Sequence, residues 1–203
     1  MPPDDKETST MVRSDGTYAS LPLKKDTISI TIAQTRVNGV DGKNPAKDIK
    51  NNLDYMLECI DIAQGYGGRS DLICFHEFPI VGFSNWSRED HYRIAIEVPG
   101  PETEEIGKKC QDYGCYIVFG TYAKDPDWPD HILHLMVLMD PDGNVIAKHW
   151  KQRNVRGLFP GSEQYTSAIY DVYDRFIEIY GQDAVIPVAK TDIGNIAMSA
   201  VQF

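Results

Sequence analysis

Residues 71–83 read Asp-Leu-Ile-Cys-Phe-His-Glu-Phe-Pro-Ile-Val-Gly-Phe. The apolar run from Leu72 to Phe75 is typical of a buried strand, and the proline and glycine that follow predict that the chain turns away. The strand thus delivers a carboxylate, Glu77, to its C-terminal tip, where α/β proteins place reacting groups. Because an ionised carboxylate is costly among apolar neighbours, we expect Glu77 to have a raised pKa, which suits a general base. The alternative, equally open here, is an acid that faces water or caps the turn.

The composition is that of one globular domain with an acidic surface. The chain has 203 residues, of which 42% are hydrophobic and 25% charged, and these fractions are ordinary for a domain of this size. Its formal net charge is −10, which argues against nucleic acid as a main partner, because phosphate neutralisation needs clustered Lys and Arg. The basic cluster of note, Lys148 to Arg156, is short.

The four cysteines, Cys59, Cys74, Cys110 and Cys115, do not form a pattern typical of disulfides. Cys59 falls in a helical pattern and Cys74 in a strand, which favours buried free thiols and a reduced, cytoplasmic setting. The N-terminus lacks the apolar segment of a signal peptide. No stretch approaches the roughly 18 apolar residues of a membrane-spanning helix, so we expect no membrane partner.

The chain outside residues 71–83 predicts an α/β fold. Residues 1–24 are polar and predict a loosely packed lead-in, followed by one domain over 25–203. Periodicity predicts helices over 46–64, about 102–113 and 170–179. The predicted strands are 27–33, 72–75, 115–121, 132–139, 145–150, 185–189 and 196–201. This order predicts a mixed sheet with helices covering one face.

A second candidate for chemistry is Lys151, which directly follows the predicted strand 145–150. An amine close to a carboxylate in a cleft orients the carboxylate and stabilises a developing oxyanion. The alternative is a surface lysine in a basic run with Lys148 and Arg153.

Five pieces of sequence, in this order, carry a resemblance to a known family. They are the strand with Glu77-Phe78-Pro79, the turn 140–145, the segment Lys148-His149-Trp150-Lys151, Phe159-Pro160-Gly161, and the turn 191–196. Together they resemble the nitrilase, or carbon–nitrogen hydrolase, superfamily, and its aliphatic-amidase-like members in particular. The resemblance covers roughly residues 27 to 203.

The resemblance implies an α-β-β-α sandwich and a site of three residue types: a Glu base, a Lys that stabilises the tetrahedral intermediate and a Cys nucleophile. Glu77 matches the Glu position and Lys151 the Lys position. The implied substrate is a small amide or nitrile, and the implied assembly is a homo-oligomer. No metal and no organic cofactor is required by this chemistry.

The sequence departs from the family pattern at three points. Alignment on Gly194 places Val201 at the position of the nucleophilic cysteine, and valine cannot attack a carbonyl. Arg156 falls where many members carry a second Glu, with Glu163 just beyond. The chain matches the N-terminal two-thirds of the family domain, so we expect either a fragment or a partner that covers the sheet. Ser199 is a weak substitute nucleophile, because it is displaced from Val201 by two residues.

Three interpretations remain open. The first is a thiol-dependent amidase or nitrilase-like hydrolase, supported by Glu77 and Lys151. The second is a non-catalytic member of the family that acts in binding or assembly, supported by Val201 and Arg156. The third is a doubly wound small-molecule-binding domain, which needs a glycine-rich strand-to-helix turn that the sequence lacks.

Other signals are weaker. His131 and His134 are predicted to point to opposite faces of a strand, which disfavours a metal site. The aromatic residues Trp86, Tyr122 and Trp128 either line a substrate mouth or pack at loop edges.

Overall fold

The computed structural model describes residues 19–66, 68–154 and 165–200. Its helices are α1 (Ala46–Gly65), α2 (Arg88–Ile94), α3 (Pro101–Tyr113) and α4 (Tyr173–Tyr180), with short 3₁₀ turns at Ile169–Asp171 and Gln182–Val185. Its strands are β1 (Ile30–Ala33), β2 (Leu72–Phe75), β3 (Ile96–Glu97), β4 (Tyr116–Lys124), β5 (Leu133–Met139), β6 (Val145–Trp150), β7 (Val188–Thr191) and β8 (Gly194–Ala197).

A mixed sheet of six strands forms the centre of the fold, in the order β1-β2-β4-β5-β6 with β3 beside the end of β4. Strands β1, β2 and β4 are parallel, whereas β4, β5 and β6 are antiparallel. Strand β3 pairs with Ala123 and Lys124 of β4, beyond the segment of β4 that pairs with β2. The loop after β2 lies against the part of β4 between the segments that pair with β2 and with β3.

One face of this sheet, which we call the outer face, is covered by helices, as the element order predicts. Helix α1 buries Ile49, Leu53, Met56 and Ile60 on one side, at the spacing of an amphipathic helix. They belong to the main hydrophobic cluster, together with Ile106 of α3 and Phe176 of α4. Apolar residues that alternate along β2, β4 and β5 complete the same cluster.

The opposite, inner face is covered in part by the hairpin of β7 and β8. A second hydrophobic cluster joins Leu72, Tyr116, Val118, Met136 and Leu138 of the sheet with residues of the hairpin and the segment after it. The inner face therefore carries a second core, and the same face of β4, β5 and β6 continues toward the end of the sheet where the site residues lie.

Several predicted bounds are wrong at the C-terminal end of the chain. The strand predicted at 185–189 begins only at Val188, because Pro187 has no N–H for the ladder and the preceding residues form a 3₁₀ turn. The strand predicted at 196–201 is β8, which begins at Gly194 and ends at Ala197. The predicted helix 170–179 is divided into a 3₁₀ turn and α4.

Two elements were not predicted at all. Helix α2 begins after Ser87, whose hydroxyl accepts the Asp90 N–H as an N-cap, and β3 follows it. The prediction that all four thiols are buried is only half confirmed: Cys110 and Cys115 are buried, whereas Cys59 and Cys74 are partly exposed. The four thiols are free. No helix in the described ranges has the length and apolar character to cross a membrane.

Candidate active site

The loop after β2 holds Glu77 in place through its neighbour His76. The His76 carbonyl accepts the Gly120 N–H at 3.1 Å, and its Nδ1 accepts the Phe78 N–H at 3.1 Å. Since Nδ1 is an acceptor, Nε2 carries the proton and donates to Thr35 Oγ1 at 2.8 Å. The residues before and after Glu77 are therefore both held by hydrogen bonds of their backbone groups.

The backbone of Glu77 lies directly against Gly120 of β4. A Cβ placed on Gly120 would lie 2.4 Å from the Glu77 carbonyl oxygen and 2.6 Å from its Cα. No side chain larger than hydrogen fits without moving the loop, because real Cβ contacts are longer than this. The sequence did hold a signal for this contact, since a glycine inside an apolar strand often marks a close backbone approach.

Lys151 is fixed at the end of β6 by hydrogen bonds on both sides of its backbone. Its N–H donates to the His134 carbonyl at 2.8 Å, and its carbonyl accepts the Ile169 N–H at 3.1 Å. The residue is 7% exposed, so the alternative of a surface lysine is wrong.

The side chains of Glu77 and Lys151, which lie 74 positions apart in the sequence, meet on the inner face. Lys151 Nζ donates to Glu77 Oε1 at 3.2 Å. A third residue lies at the same oxygen: His134 Nε2 of β5 is 3.1 Å from Oε1. The sequence pattern indicated His134 only as a poor metal ligand and did not predict this contact, which depends on the pairing of β4 with β5.

The electrostatics of Glu77 differ from the expectation. Burial raises the pKa of the Glu77 carboxyl, but the adjacent His134 and Lys151 together lower it by more, so the net shift is downward. The expected rise in pKa is therefore wrong, because the burial considered from the strand alone is offset by two neighbours from other strands. The carboxylate is ionised at neutral pH and ready to accept a proton.

Aromatic rings enclose this group of polar side chains. The Phe78 ring lies 5.1 Å from the His134 ring and 5.0 Å from that of Tyr122, and Tyr122 contacts His91 at 4.2 Å. Trp86 packs on His91 at 5.4 Å. Tyr122 and Trp86 thus belong to the wall beside the site, whereas Trp128 packs on Trp150 on the side of α4.

Most of the remaining predicted candidates fall on residues that the structure does not describe. Val201, Arg156, Glu163 and the segment 159–161 lie outside the described residues. Ser199 is exposed and donates its hydroxyl to the Ala200 carbonyl at 2.9 Å.

The described residues also give no support to a metal site. His131 contacts Ser167 Oγ through Nδ1 at 2.7 Å. Within residues 19–66, 68–154 and 165–200, no group of three or more His, Cys, Asp and Glu side chains is arranged to hold a metal ion.

Comparison with known proteins gives one family match and several similar proteins. Residues 30–202 match the sequence model of the carbon-nitrogen hydrolase family. A formamidase of Bacillus cereus (strain B4264) is 31% identical over 107 residues, which cover 51% of this chain and 31% of the formamidase. The chain thus spans about a third of the length of the curated relatives it matches.

Solved structures are similar in fold. The C. elegans NitFhit protein superposes with a TM-score of 0.59 over 84% of this chain and 37% of its own, at 18% identity. An N-terminal amidase superposes with a TM-score of 0.54 over 64% of this chain and 29% of its own, at 17% identity. The mixed α/β architecture is the one that these proteins share.

Proposed function

This chain belongs to the carbon-nitrogen hydrolase family, and on that premise we propose that Glu77 and Lys151 form the proton-accepting and charge-stabilising parts of a site for a small amide. The observation that carries the proposal is the 3.2 Å contact between Lys151 Nζ and Glu77 Oε1, with the lysine almost fully buried. A cation and a carboxylate brought together from different strands inside apolar walls are typical of a reaction site.

The chemistry of an amide explains why this pair is needed. An amide carbon is a poor electrophile, so its attack requires a strong nucleophile such as a thiolate. Glu77 takes the proton of the nucleophile, and the Lys151 ammonium stabilises the negative charge that develops on the carbonyl oxygen. In the complete reaction Glu77 passes this proton to the nitrogen, the C–N bond breaks, and ammonia leaves behind an acyl-thioester. The ionised Glu77 then takes a proton from the water that hydrolyses the thioester to the acid and the free thiol. Nitriles present the same problem at carbon and are the second substrate class.

The nucleophile decides whether the reaction proceeds. The resemblance puts Val201 at its position, and the four cysteines lie in α1, β2, α3 and just before β4. Burial raises the pKa of each of these thiols, most strongly at Cys110, so none of them is an activated thiolate. We therefore infer that this chain binds a small amide and does not turn it over.

The test measures ammonia release from formamide and acetamide. We expect none from the purified protein and measurable release from the Val201→Cys variant, which supplies the thiol at the position that the family resemblance implies for the nucleophile. Adding Glu77→Gln or Lys151→Met to that variant should abolish the release. Ammonia release by the unsubstituted protein that disappears in Glu77→Gln would overturn the inference that the chain does not turn over its ligand.

Two further measurements refine the proposal. Isothermal titration with acetamide and with acetonitrile compares the two substrate classes, and Lys151→Met should weaken binding of the one that fits. A Val201→Cys variant that folds, binds neither compound and releases no ammonia would contradict the proposed site. The cytoplasmic location and the homo-oligomer stay predictions, and light scattering tests the second.

A further inference from the structure

His134 is a buried histidine that the proposed reaction does not use. It is 3% exposed, and its Nε2 lies 3.1 Å from Glu77 Oε1, the same oxygen that accepts from Lys151. The ring N–H does not point along this line, so Nε2 has no aligned hydrogen-bond partner in the described part of the chain. A buried polar nitrogen without a hydrogen-bond partner destabilises the folded state, so its presence at a carboxylate points to a role for His134.

The His134 ring is held against the carboxylate by its neighbours. Phe78 and Tyr122 lie 5.1 and 5.2 Å from it, and Tyr122 is its direct cross-strand partner in the β4–β5 ladder. The His134 carbonyl accepts the Lys151 N–H, which ties the backbone of the two residues together. The imidazole therefore has little freedom to turn away from Glu77.

Two nitrogen groups thus converge on one oxygen of the carboxylate. Within the described ranges, no group hydrogen-bonds the second oxygen, Oε2, whereas Oε1 meets both Lys151 and His134. Hydrogen bonds at reaction sites are often misaligned without substrate and tighten when it binds. At 3.1 Å the Nε2–Oε1 separation is already that of a hydrogen bond, so only its alignment is incomplete.

We propose that His134 is a positioning residue, which together with Lys151 holds Glu77 by Oε1 and so presents Oε2 to the proton that is transferred. The inference rests on the proposed function of Glu77 and deepens it. It requires that the His134 proton resides on Nε2, which is a property of the folded protein that is independent of turnover.

The first experiment uses ¹⁵N NMR of the histidine rings at neutral pH to determine which ring nitrogen of His134 carries the proton. We expect the Nε2–H tautomer for His134, and a changed Nε2 shift in Glu77→Gln, while His131, which contacts Ser167, stays unchanged. An Nδ1–H tautomer at His134, or a shift unaffected by Glu77→Gln, would overturn the proposal whether or not any variant is active.

The second experiment uses the Val201→Cys variant. Adding His134→Phe keeps a ring but removes the N–H, and we expect kcat to fall by about 10- to 100-fold with KM nearly unchanged, as for misplacement of a reacting group. The acid limb of the pH profile should move to higher pH, because His134 lowers the pKa of Glu77. His134→Gln, which retains an N–H donor, should recover most of the rate.

His149→Phe is the matched control, because His149 is equally buried on the neighbouring strand and has no contact with Glu77 in the described residues. An equal loss in His149→Phe, or no rescue by His134→Gln, would show that His134 acts only through packing. If Val201→Cys folds but binds neither acetamide nor acetonitrile and releases no ammonia, the proposed function fails, and the NMR result still decides the role of His134.

Discussion

The contact between Glu77 and Lys151 keeps an acid charged inside a half-buried site. The Glu77 side chain is 24% exposed, and its burial alone favours the protonated form. Lys151 and His134 reverse that preference. The charge state of the carboxyl therefore depends on side chains from two other strands.

We expect Lys151→Met to raise the pKa of Glu77, because the substitution leaves desolvation less opposed. The unfolding free energy should fall by about 1–3 kcal/mol, since a partly buried charge loses its partner. Carboxyl ¹³C NMR titration measures the first effect and urea denaturation the second.

Lys148→Met is the control for this variant. Lys148 pairs with Asp125 at 3.2 Å, but its side chain is partly exposed, so the change should cost only about 0–1 kcal/mol. Equal losses of stability in the two variants, with an unmoved Glu77 titration, would contradict the assigned pair.

The buried histidines should make the protein sensitive to mild acid. Burial lowers the pKa of His91 to about 4 and also lowers the pKa values of His134 and His149. Well above the ordinary histidine pKa of about 6.5, all three are neutral in both the folded and the unfolded state, and the pH dependence of stability does not involve them. Below that pKa the unfolded chain binds protons that the folded chain does not, so stability falls as pH falls toward 4.

His91→Phe tests this linkage at one residue. Between pH 7.5 and pH 4 the unfolding free energy of the variant should fall by about 3 kcal/mol less than that of the unsubstituted protein. The value at pH 7.5 accounts for the destabilisation that the substitution itself causes. Urea midpoints at the two pH values give the comparison. Parallel losses in His91→Phe and the unsubstituted protein would contradict a neutral, buried His91.

At this scale the sequence alone could single out Glu77 as a candidate, because a strand tip and a following Pro-Gly turn are visible in it. Lys151 was a weaker candidate from its place after a predicted strand, since a lysine in a basic run is usually exposed, and the family resemblance strengthened it. His134 was not predictable as a neighbour of Glu77, because the contact depends on the register of β4 with β5 and on a shared face, neither of which is encoded locally.

At the scale of elements, the loop after β2 packs directly against β4 because Gly120 has no side chain. We expect Gly120→Ala to push the Glu77 backbone away from β4, because the new Cβ would lie 2.4 Å from the Glu77 carbonyl oxygen. The cost should be about 1–3 kcal/mol, as for overpacking in a core. Denaturation measures it, and the His134 ring shift reports the displaced carboxylate.

Gly65→Ala is the matched control, since a Cβ there meets nothing within 4 Å and the residue lies in the last turn of α1. That variant should be neutral or stabilised by up to about 1 kcal/mol. A Gly120→Ala protein as stable as Gly65→Ala would contradict the close approach.

The long elements were predictable because their patterns are strong and local. Helix α1 has four apolar residues on one face, and α3 has acids in its first turn and Gly114 in a left-handed C-cap. Helix α2 and strand β3 were missed because both are short, and their stability comes from packing beside β4. The predicted bounds of the last two strands were wrong by a few residues, because these strands are also short.

At the scale of the whole molecule, the inner face is unevenly covered. Ile30 and Ile32 of β1 pair with Leu72 and Cys74, which places them on the inner face, yet they are 49% and 73% exposed. We expect this strip to bind the dye ANS, and the Ile30→Thr, Ile32→Thr double variant to reduce its fluorescence while retaining β-branched side chains.

Ile62→Thr provides the comparison, because Ile62 is an exposed apolar residue of helix α1 that lies outside this strip. Its substitution should leave ANS binding unchanged. The fold class was predictable at this scale from element order, whereas the coverage of the inner face was not, because it depends on where the β7–β8 hairpin comes to lie.

The hydrogen bond from the Lys151 N–H to the His134 carbonyl also makes the site observable in time. That amide proton exchanges with deuterium only when the ends of β5 and β6 separate, and the same separation takes Lys151 away from Glu77 and His134. Its protection factor is therefore a direct reading of how often the three-residue group comes apart. In a Gly120→Ala protein this amide should lose protection before the amides of α1 do.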